Sequence, residues 1–268
     1  MFAEKVVIIT GASSGLGRQL AHDLAARRCR VVLFARNADA LAEAVAECEA
    51  AGGEAMAVTG DVTQPEDCER LIAKTTERFG GIDFLISNAG LSMWAKFEEV
   101  TDLNLFRRLM EVNYLGLVHT LHFALPALKK TGGLIVSIGS IQGKIAVPAH
   151  SGYVASKHAL EGFCDTLRYE LEETGVDILT VHPHWIQGTN MRANACTADG
   201  TAMGESKRSH NHESITLEQC AREIIDAMRE RRRELIIPPR LRLAPILKAL
   251  WPALLRRKVL RIFRGQGK

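Results

Sequence analysis

The 268-residue chain alternates short apolar runs with longer amphipathic ones. The runs at 5–10, 30–35, 54–59, 84–87, 134–138, 177–182 and 234–237 are rich in β-branched and aliphatic residues. Continuous apolar runs of this length read as strands buried on both faces. Between them, stretches such as 38–51 and 65–79 carry apolar residues at three- and four-residue spacing, which predicts helices. Strand and helix alternate along the chain, so the expected fold class is α/β. It is a doubly wound parallel sheet of about seven strands with helices on both faces. No internal repeat or interdomain linker interrupts the pattern. Residues 1–239 are expected to form one domain, and 240–268 a C-terminal extension.

The first strand ends in Thr10 and leads into Gly11-Ala-Ser13-Ser14-Gly15-Leu16-Gly17. A helical pattern through Leu20, Leu24 and Ala25 follows. Strand, glycine-rich turn and helix together make a Rossmann-like dinucleotide turn. Gly11 permits the tight turn, Gly15 lets backbone approach a pyrophosphate, and Gly17 lets the helix pack against the strand. The helix N-terminus then offers free N–H groups to the phosphates. In parallel sheets of this kind ligands bind at the carboxyl ends of the strands. Gly11, Asp61, Asn88 and Ser140 all lie at such ends.

A second candidate group sits further along. Ser140 closes the apolar run at 134–138, and Tyr153 and Lys157 follow four residues apart in Ser151-Gly-Tyr-Val-Ala-Ser-Lys157. On a helix, positions i and i+4 share a face. A phenol titrates near ~10, too high for a base at neutral pH. An ammonium at ~4 Å is expected to lower that value by a few units. A proton-transfer device follows.

The glycine spacing is Gly-x-x-x-Gly-x-Gly. Combined with Ser140, Tyr153 and Lys157, it resembles the short-chain dehydrogenase/reductase family over about residues 5–190. Several further motifs stand in family order. Asp61-Val62 resembles the family's adenine contact, Asn88-Ala89-Gly90 its central-strand motif, and Asn113 the fourth member of its catalytic tetrad. The resemblance implies an oxidoreductase that interconverts a ketone or aldehyde and an alcohol by hydride transfer. In it Tyr153 is the acid/base and Lys157 lowers the phenol's pKa and holds the nicotinamide ribose. Ser140 orients the substrate oxygen, and Asn113 holds a water that joins Lys157 to solvent. Homodimers or homotetramers are expected, pairing through helices near 104–130 and 151–174. Competing readings are a non-catalytic NADP-binding sensor or scaffold, and an NAD-dependent alcohol dehydrogenase of the same fold.

The second strand ends Leu33-Phe34-Ala35-Arg36-Asn37. NAD-binding folds often place an acid there to hold the ribose hydroxyls. Its absence at Ala35, with the Arg36 guanidinium following, points to a 2′-phosphate and hence to NADP(H) over NAD(H). One departure from the family pattern stands out. After the sixth strand the family usually shows Pro-Gly and then a threonine. This chain reads Pro183-His-Trp-Ile-Gln-Gly-Thr189, with His184 in the glycine's place and Thr189 one position late. Ile186 and Thr189 are taken as the contacts on the nicotinamide side.

Residues 185–214 are polar, with isolated Met191 and Met203. A long polar insertion in a compact domain is usually functional or mobile; the family resemblance implies that this one covers the substrate, and adaptable methionines suit an apolar ligand. His182-x-His184 and His210-x-His212 lack the cysteine or carboxylate cluster of a metal site, so no metal is expected. The six cysteines are scattered without a Cys-x-x-Cys pair, which predicts free buried thiols in a reducing compartment.

Charge changes the picture only at the C-terminus. No acidic residue follows Glu234, yet nine Lys/Arg do. The first 234 residues hold 25 basic and 31 acidic side chains, a net of −6, which argues against nucleic acid as a partner. From Leu247 the apolar residues Leu250, Trp251, Leu254, Leu255, Val259, Ile262 and Phe263 recur at helical spacing, while Pro245 and Pro252 interrupt the helix. Such a basic amphipathic segment either associates with an anionic membrane surface or packs on the domain or a second subunit. With a strand starting by Lys5 and no apolar run of ~18 residues, neither a signal peptide nor a spanning helix is expected. A cytoplasmic location follows, with peripheral association at the inner face of a membrane left open by the tail.

Overall fold

A computed structural model describes residues 1–204 and 214–265. Seven parallel strands form one sheet in the order β3-β2-β1-β4-β5-β6-β7. They are β1 (Val6–Thr10), β2 (Arg30–Ala35), β3 (Glu54–Thr59), β4 (Phe84–Ser87), β5 (Leu134–Ile138), β6 (Asp177–Pro183) and β7 (Glu234–Ile237). Lys5 stays outside β1, where its ammonium pairs with Asp83 at 2.7 Å.

Strand residues alternate between two cores, as the two-residue period of a strand requires. Val7 and Ile9 of β1 pack under α1 (Gly15–Ala25), α2 (Ala38–Ala50) and α7 (Leu217–Arg229), whereas Ile8 faces the opposite side. There α3 (Pro65–Phe79), α5 (Gly116–Thr131) and α6 (Ser151–Glu170) contribute Leu71, Leu121, Leu128, Leu160 and Leu167. Each such side chain, once fully buried, adds roughly 1.5–3 kcal/mol. All six cysteines are buried and unpaired. Burial pushes the thiols of Cys29, Cys48 and Cys220 up to about 12, which suppresses the reactive thiolate.

The expected helix over 104–130 is divided. α4 (Asn104–Met110) passes through a π-turn at Glu111–Leu115 before α5 begins. Such bulges usually mark a residue that must be re-aimed, and this one contains Asn113. Helix α6 stops at Glu170, short of 174, before a turn through Gly175.

The C-terminal residues form two helices, α8 (Leu243–Leu250) and α9 (Pro252–Gly265), with the break at Trp251. Pro252 begins α9, where its missing N–H costs nothing. Pro245 also sits in the first turn of α8 and does not kink it. The apolar stripe is divided between two fates. Ala244 is buried with Ile141, Ile145 and Ile236, and Leu241 and Leu255 pack against them. Phe263 stacks on Trp94 at 6.3 Å. Leu243, Ile246, Leu250, Trp251, Leu254 and Ile262 remain exposed. Among the described residues no helix is long and apolar enough to cross a membrane.

Candidate active site

The strand order changes direction between β1 and β4, and a cleft of about 520 Å³ opens above their carboxyl ends. The two strand ends are tied together there. Asn88 and Ala89 donate their backbone N–H groups to Thr10 Oγ1 at 3.0 and 3.1 Å. Asn88 Nδ2 donates to the carbonyls of Thr10 and Gly11. Gly17 lies under this knot, where a Cβ would come within 2.4 Å of the Gly11 carbonyl oxygen. Any larger residue would push α1 off the strand.

Gly11, Ser13, Ser14, Gly15 and Leu16 line the cleft, with Asn88, Ala89 and Gly90 beside them. Ser14 occupies the N-cap of α1 without a side-chain capping bond, and the first turn holds no acid. The leading N–H groups therefore face the cleft uncapped by their own side chain, a surface suited to phosphate. Further along lie Arg36, Asn37, Asp61 and Val62. Asn37 caps α2 by accepting from Ala40 N at 3.0 Å. Arg36 is 80% exposed and reaches Asp61 at 3.8 Å.

At the other end, β5 delivers Ser140 and the first turn of α6 delivers Tyr153, with Lys157 one turn on. The Ser140 hydroxyl accepts from Gln142 N at 3.2 Å and is hydrogen-bonded to the Tyr153 phenol. Lys157 Nζ donates to the Ile138 carbonyl at 2.9 Å and lies 5.8 Å from the Tyr153 ring centre. The expected lowering of the phenol's pKa does not occur in this arrangement. Burial pushes Tyr153 up to about 12, only partly opposed by Ser140, and pulls Lys157 down to about 8. Desolvation penalises both charged forms. A neutral phenol can donate a proton.

A polar cluster around buried His182 supports Ser140 from below. His182 Nδ1 lies 3.2 Å from the Ser140 carbonyl oxygen, and Nε2 lies 3.3 Å from Glu161 and 3.5 Å from Glu234. Lys144 bridges the same two carboxylates. Glu161, His182 and Glu234 have metal-ligand spacing, but the Lys144 ammonium already sits between the carboxylates. His184 is not part of this group, and His210 and His212 lie outside the described residues. On the outer side, Lys248 of α8 donates to the Lys144 carbonyl at 2.9 Å, joining the C-terminal helices to the Ser140 turn.

Asn113 does not line the cleft. It is buried, with Oδ1 accepting from Leu91 N at 2.7 Å. Its Nδ2 donates to Leu91 O and to Ser156 Oγ, both at 2.8 Å. Both amide hydrogens are used, and the side chain clamps the loop after β4 to α6. Gly17 is the other candidate outside the lining, for the packing reason given above.

The loop after β6 absorbs its extra residue at Gly188, whose φ of +78° closes a turn that a side chain would strain. Thr189 Oγ1 then donates to Ile186 O at 3.3 Å. Its methyl returns to 3.6 Å from where a Gly15 Cβ would lie. Ile186 and Thr189 both line the cleft, as does His184, whose N–H donates to Ile237 O at 2.9 Å. Trp94, His150, Trp185 and Arg192 also line it. The motifs carried no sign of these four, because loops far apart in sequence bring them together.

A family model described as short chain dehydrogenase matches residues 5–199. Dehydrogenase/reductase SDR family member 7B of Bos taurus is 36% identical over 93% of this chain and 78% of its own length. An 11-beta-hydroxysteroid dehydrogenase of Pinus massoniana is 35% identical over 82% of this chain, and the match spans only 63% of the pine protein. Among solved structures, an alcohol dehydrogenase of Thermococcus sibiricus, complexed with 5-hydroxy-NADP, superposes with a TM-score of 0.76 at 29% identity. That match covers 87% of this chain and 96% of the other. With the family model spanning well over half its length, the chain belongs to the short-chain dehydrogenase/reductase family of oxidoreductases.

Proposed function

We propose that this protein is an NADP(H)-dependent oxidoreductase that interconverts a ketone or aldehyde and its alcohol on a largely apolar substrate. The observation that carries the reading is the convergence of Ser140, Tyr153 and Lys157 with the glycine turn in one cleft. The cleft fits a dinucleotide, with an uncapped helix N-terminus midway and an exposed guanidinium at one end. The backbone at 11–17 would hold the pyrophosphate, Asp61 and Val62 the adenine, and Arg36 with Asn37 a 2′-phosphate. Asn88, Ala89 and Gly90 would floor the ribose and nicotinamide, Lys157 and Tyr153 would bind the ribose, and Ile186 and Thr189 would meet the carboxamide. The nicotinamide ring supplies or accepts the hydride. Tyr153 donates its proton to the forming alkoxide, Ser140 hydrogen-bonds the same oxygen, and Lys157 offsets the charge left on the phenol. The names of the alcohol and hydroxysteroid dehydrogenases support an alcohol/ketone pair. A panel of carbonyls with NADPH and alcohols with NADP⁺, followed at 340 nm, tests the reading. No turnover anywhere in the panel would refute it.

The Lys157 titration gives the pH dependence. Below pH about 8 the side chain is an ammonium, and above it is neutral. Reductase kcat is therefore expected to fall as pH rises through that value, because the phenolate loses its counter-charge. A profile flat from pH 7 to 9.5 would contradict this role.

We further propose residues 1–239 as the catalytic domain and 240–268 as an extension that docks on an anionic membrane surface. Association of copies into dimers or tetramers through α5 and α6 is part of the same proposal. Exposed Leu250, Trp251 and Leu254 stand among exposed basic residues that include Arg240, Arg242, Arg256, Arg257, Lys258, Arg261 and Arg264. Each basic residue near such a surface adds about 1 kcal/mol. Full-length protein is expected to float with phosphatidylserine vesicles at low salt. A chain ending at Pro239, and a full chain carrying Trp251→Glu and Leu254→Glu, are expected to stay at the bottom of the gradient. The double variant changes only exposed side chains, so its failure to differ from wild type would remove the proposal.

A further inference from the structure

One end of the cleft holds a cation that no described carboxylate pairs. Arg192 lies three residues beyond Thr189 and lines the cleft. Its guanidinium carbon is 4.9 Å from the centre of the Trp94 ring. Trp94 meets His150 edge-on at 4.9 Å, and His150 meets Tyr153 at 6.4 Å. The cation is thus connected by ring contacts to the proposed proton donor. Nε and Nη1 of Arg192 are buried, and neither has a hydrogen-bond acceptor among the described residues. Burial pulls its pKa below the usual guanidinium value.

The rest of the wall offers this charge no partner. Among the described lining residues the one carboxylate is Asp61, which stands at the opposite end beside Arg36. A buried donor left unpaired is costly, and a desolvated charge more so. Proteins keep such groups where a ligand completes them. The planar guanidinium fork matches a carboxylate, and its face is already stacked on an indole. The other cations in the wall are spoken for, because Lys157 bonds the Ile138 carbonyl and Arg36 faces Asp61. A single guanidinium matches a monoanion in charge.

We propose that the substrate is amphipathic, with a carboxylate held by Arg192 and an apolar body lying in the cleft between that carboxylate and the reacting carbon. The inference rests on the oxidoreductase reading for the identity of the cleft. It is independent of turnover, because binding of a ketone to the NADP⁺-loaded protein is unreactive and can be measured alone.

The test is calorimetric titration of the NADP⁺-loaded full chain with matched pairs. These are 4-acetylbenzoate and its methyl ester, and 9-oxodecanoate and its methyl ester. Wild type is expected to bind at least one acid about tenfold or more tightly than its ester. In Arg192→Met that ratio should collapse toward one, and Arg192→Lys should restore part of it. Thermal melting shows whether each variant is folded, and the lysine variant keeps the charge if the methionine variant is not. Equal affinity for acid and ester in both pairs overturns the proposal, including the case in which none binds. So does an unchanged ratio in Arg192→Met. A parallel loss of NADP⁺ affinity in Arg192→Met also overturns it, since the guanidinium would then serve the cofactor. Failure of the oxidoreductase reading shows separately, as absence of turnover in the 340 nm panel.

Discussion

Tyr153→Phe is expected to lower turnover by on the order of 10²-fold or more while leaving the fold and NADP(H) affinity nearly intact. The substitution removes one oxygen from a ring that is only 8% exposed. The ring's contact with His150 needs no hydroxyl, so packing around the site should persist. What is lost is the proton donor and its hydrogen bond to Ser140. A bond of that kind contributes about 1 kcal/mol to stability, too little to unfold the chain. Lys157→Met provides the contrast. It removes a buried ammonium bonded to the Ile138 carbonyl, and should weaken both turnover and cofactor binding. Steady-state kinetics with a turned-over carbonyl, beside NADPH titration by fluorescence, separates the two cases. Near-normal turnover in Tyr153→Phe would end the proposed mechanism.

The parts of this site legible in the sequence are those encoded over a few consecutive residues. Apolar runs announced the inner strands, because a strand buried on both faces must be apolar throughout, whereas the edge strand β3 buries only Val58. The glycine turn was legible because Gly17 meets the Gly11 carbonyl within its own loop. Tyr153 and Lys157 were legible through the helical four-residue period. Asn113 was found, but its clamping contacts were not. Its partners are Leu91 and Ser156, 22 and 43 residues away, and no local pattern predicts them. The same holds for Arg192 on Trp94, and for Lys144 and His182 meeting Glu161 and Glu234 under Ser140. Desolvation was the other omission. The sequence places an ammonium beside a phenol, but only the fold shows that both are buried, which reverses the expected shift of Tyr153. The C-terminal stripe was read as one face. Packing divides it, with Leu255 and Phe263 turned to the domain and Trp251 and Leu254 turned away.

Cofactor choice is expected to reverse when Ala35→Asp and Arg36→Ala are combined. Wild type should prefer NADPH. Arg36 extends from the end of β2 into the cleft rim, 80% exposed, with only a loose 3.8 Å contact to Asp61 to give up. An exposed guanidinium in that position loses little on turning to a 2′-phosphate, and its fork matches the phosphate oxygens. Ala35 ends β2 and lines the same rim. An aspartate there would accept from the ribose hydroxyls of NADH and repel the phosphate of NADPH. Each change alters a charge-assisted hydrogen bond of about 1.5–3 kcal/mol. Together they should move the NADPH-to-NADH ratio of kcat/KM by on the order of 10²- to 10⁴-fold, at ~1.4 kcal/mol per decade. Asn37 caps α2 from the adjoining position and is left untouched, so the helix start is preserved. The single variants divide the effect. Arg36→Ala alone should weaken NADPH without improving NADH, and Ala35→Asp alone should do both in part. Initial rates with each cofactor in all four proteins provide the measurement. If the unaltered chain already uses NADH more efficiently than NADPH, Arg36 does not read the phosphate, and the assignment of NADP(H) fails with it.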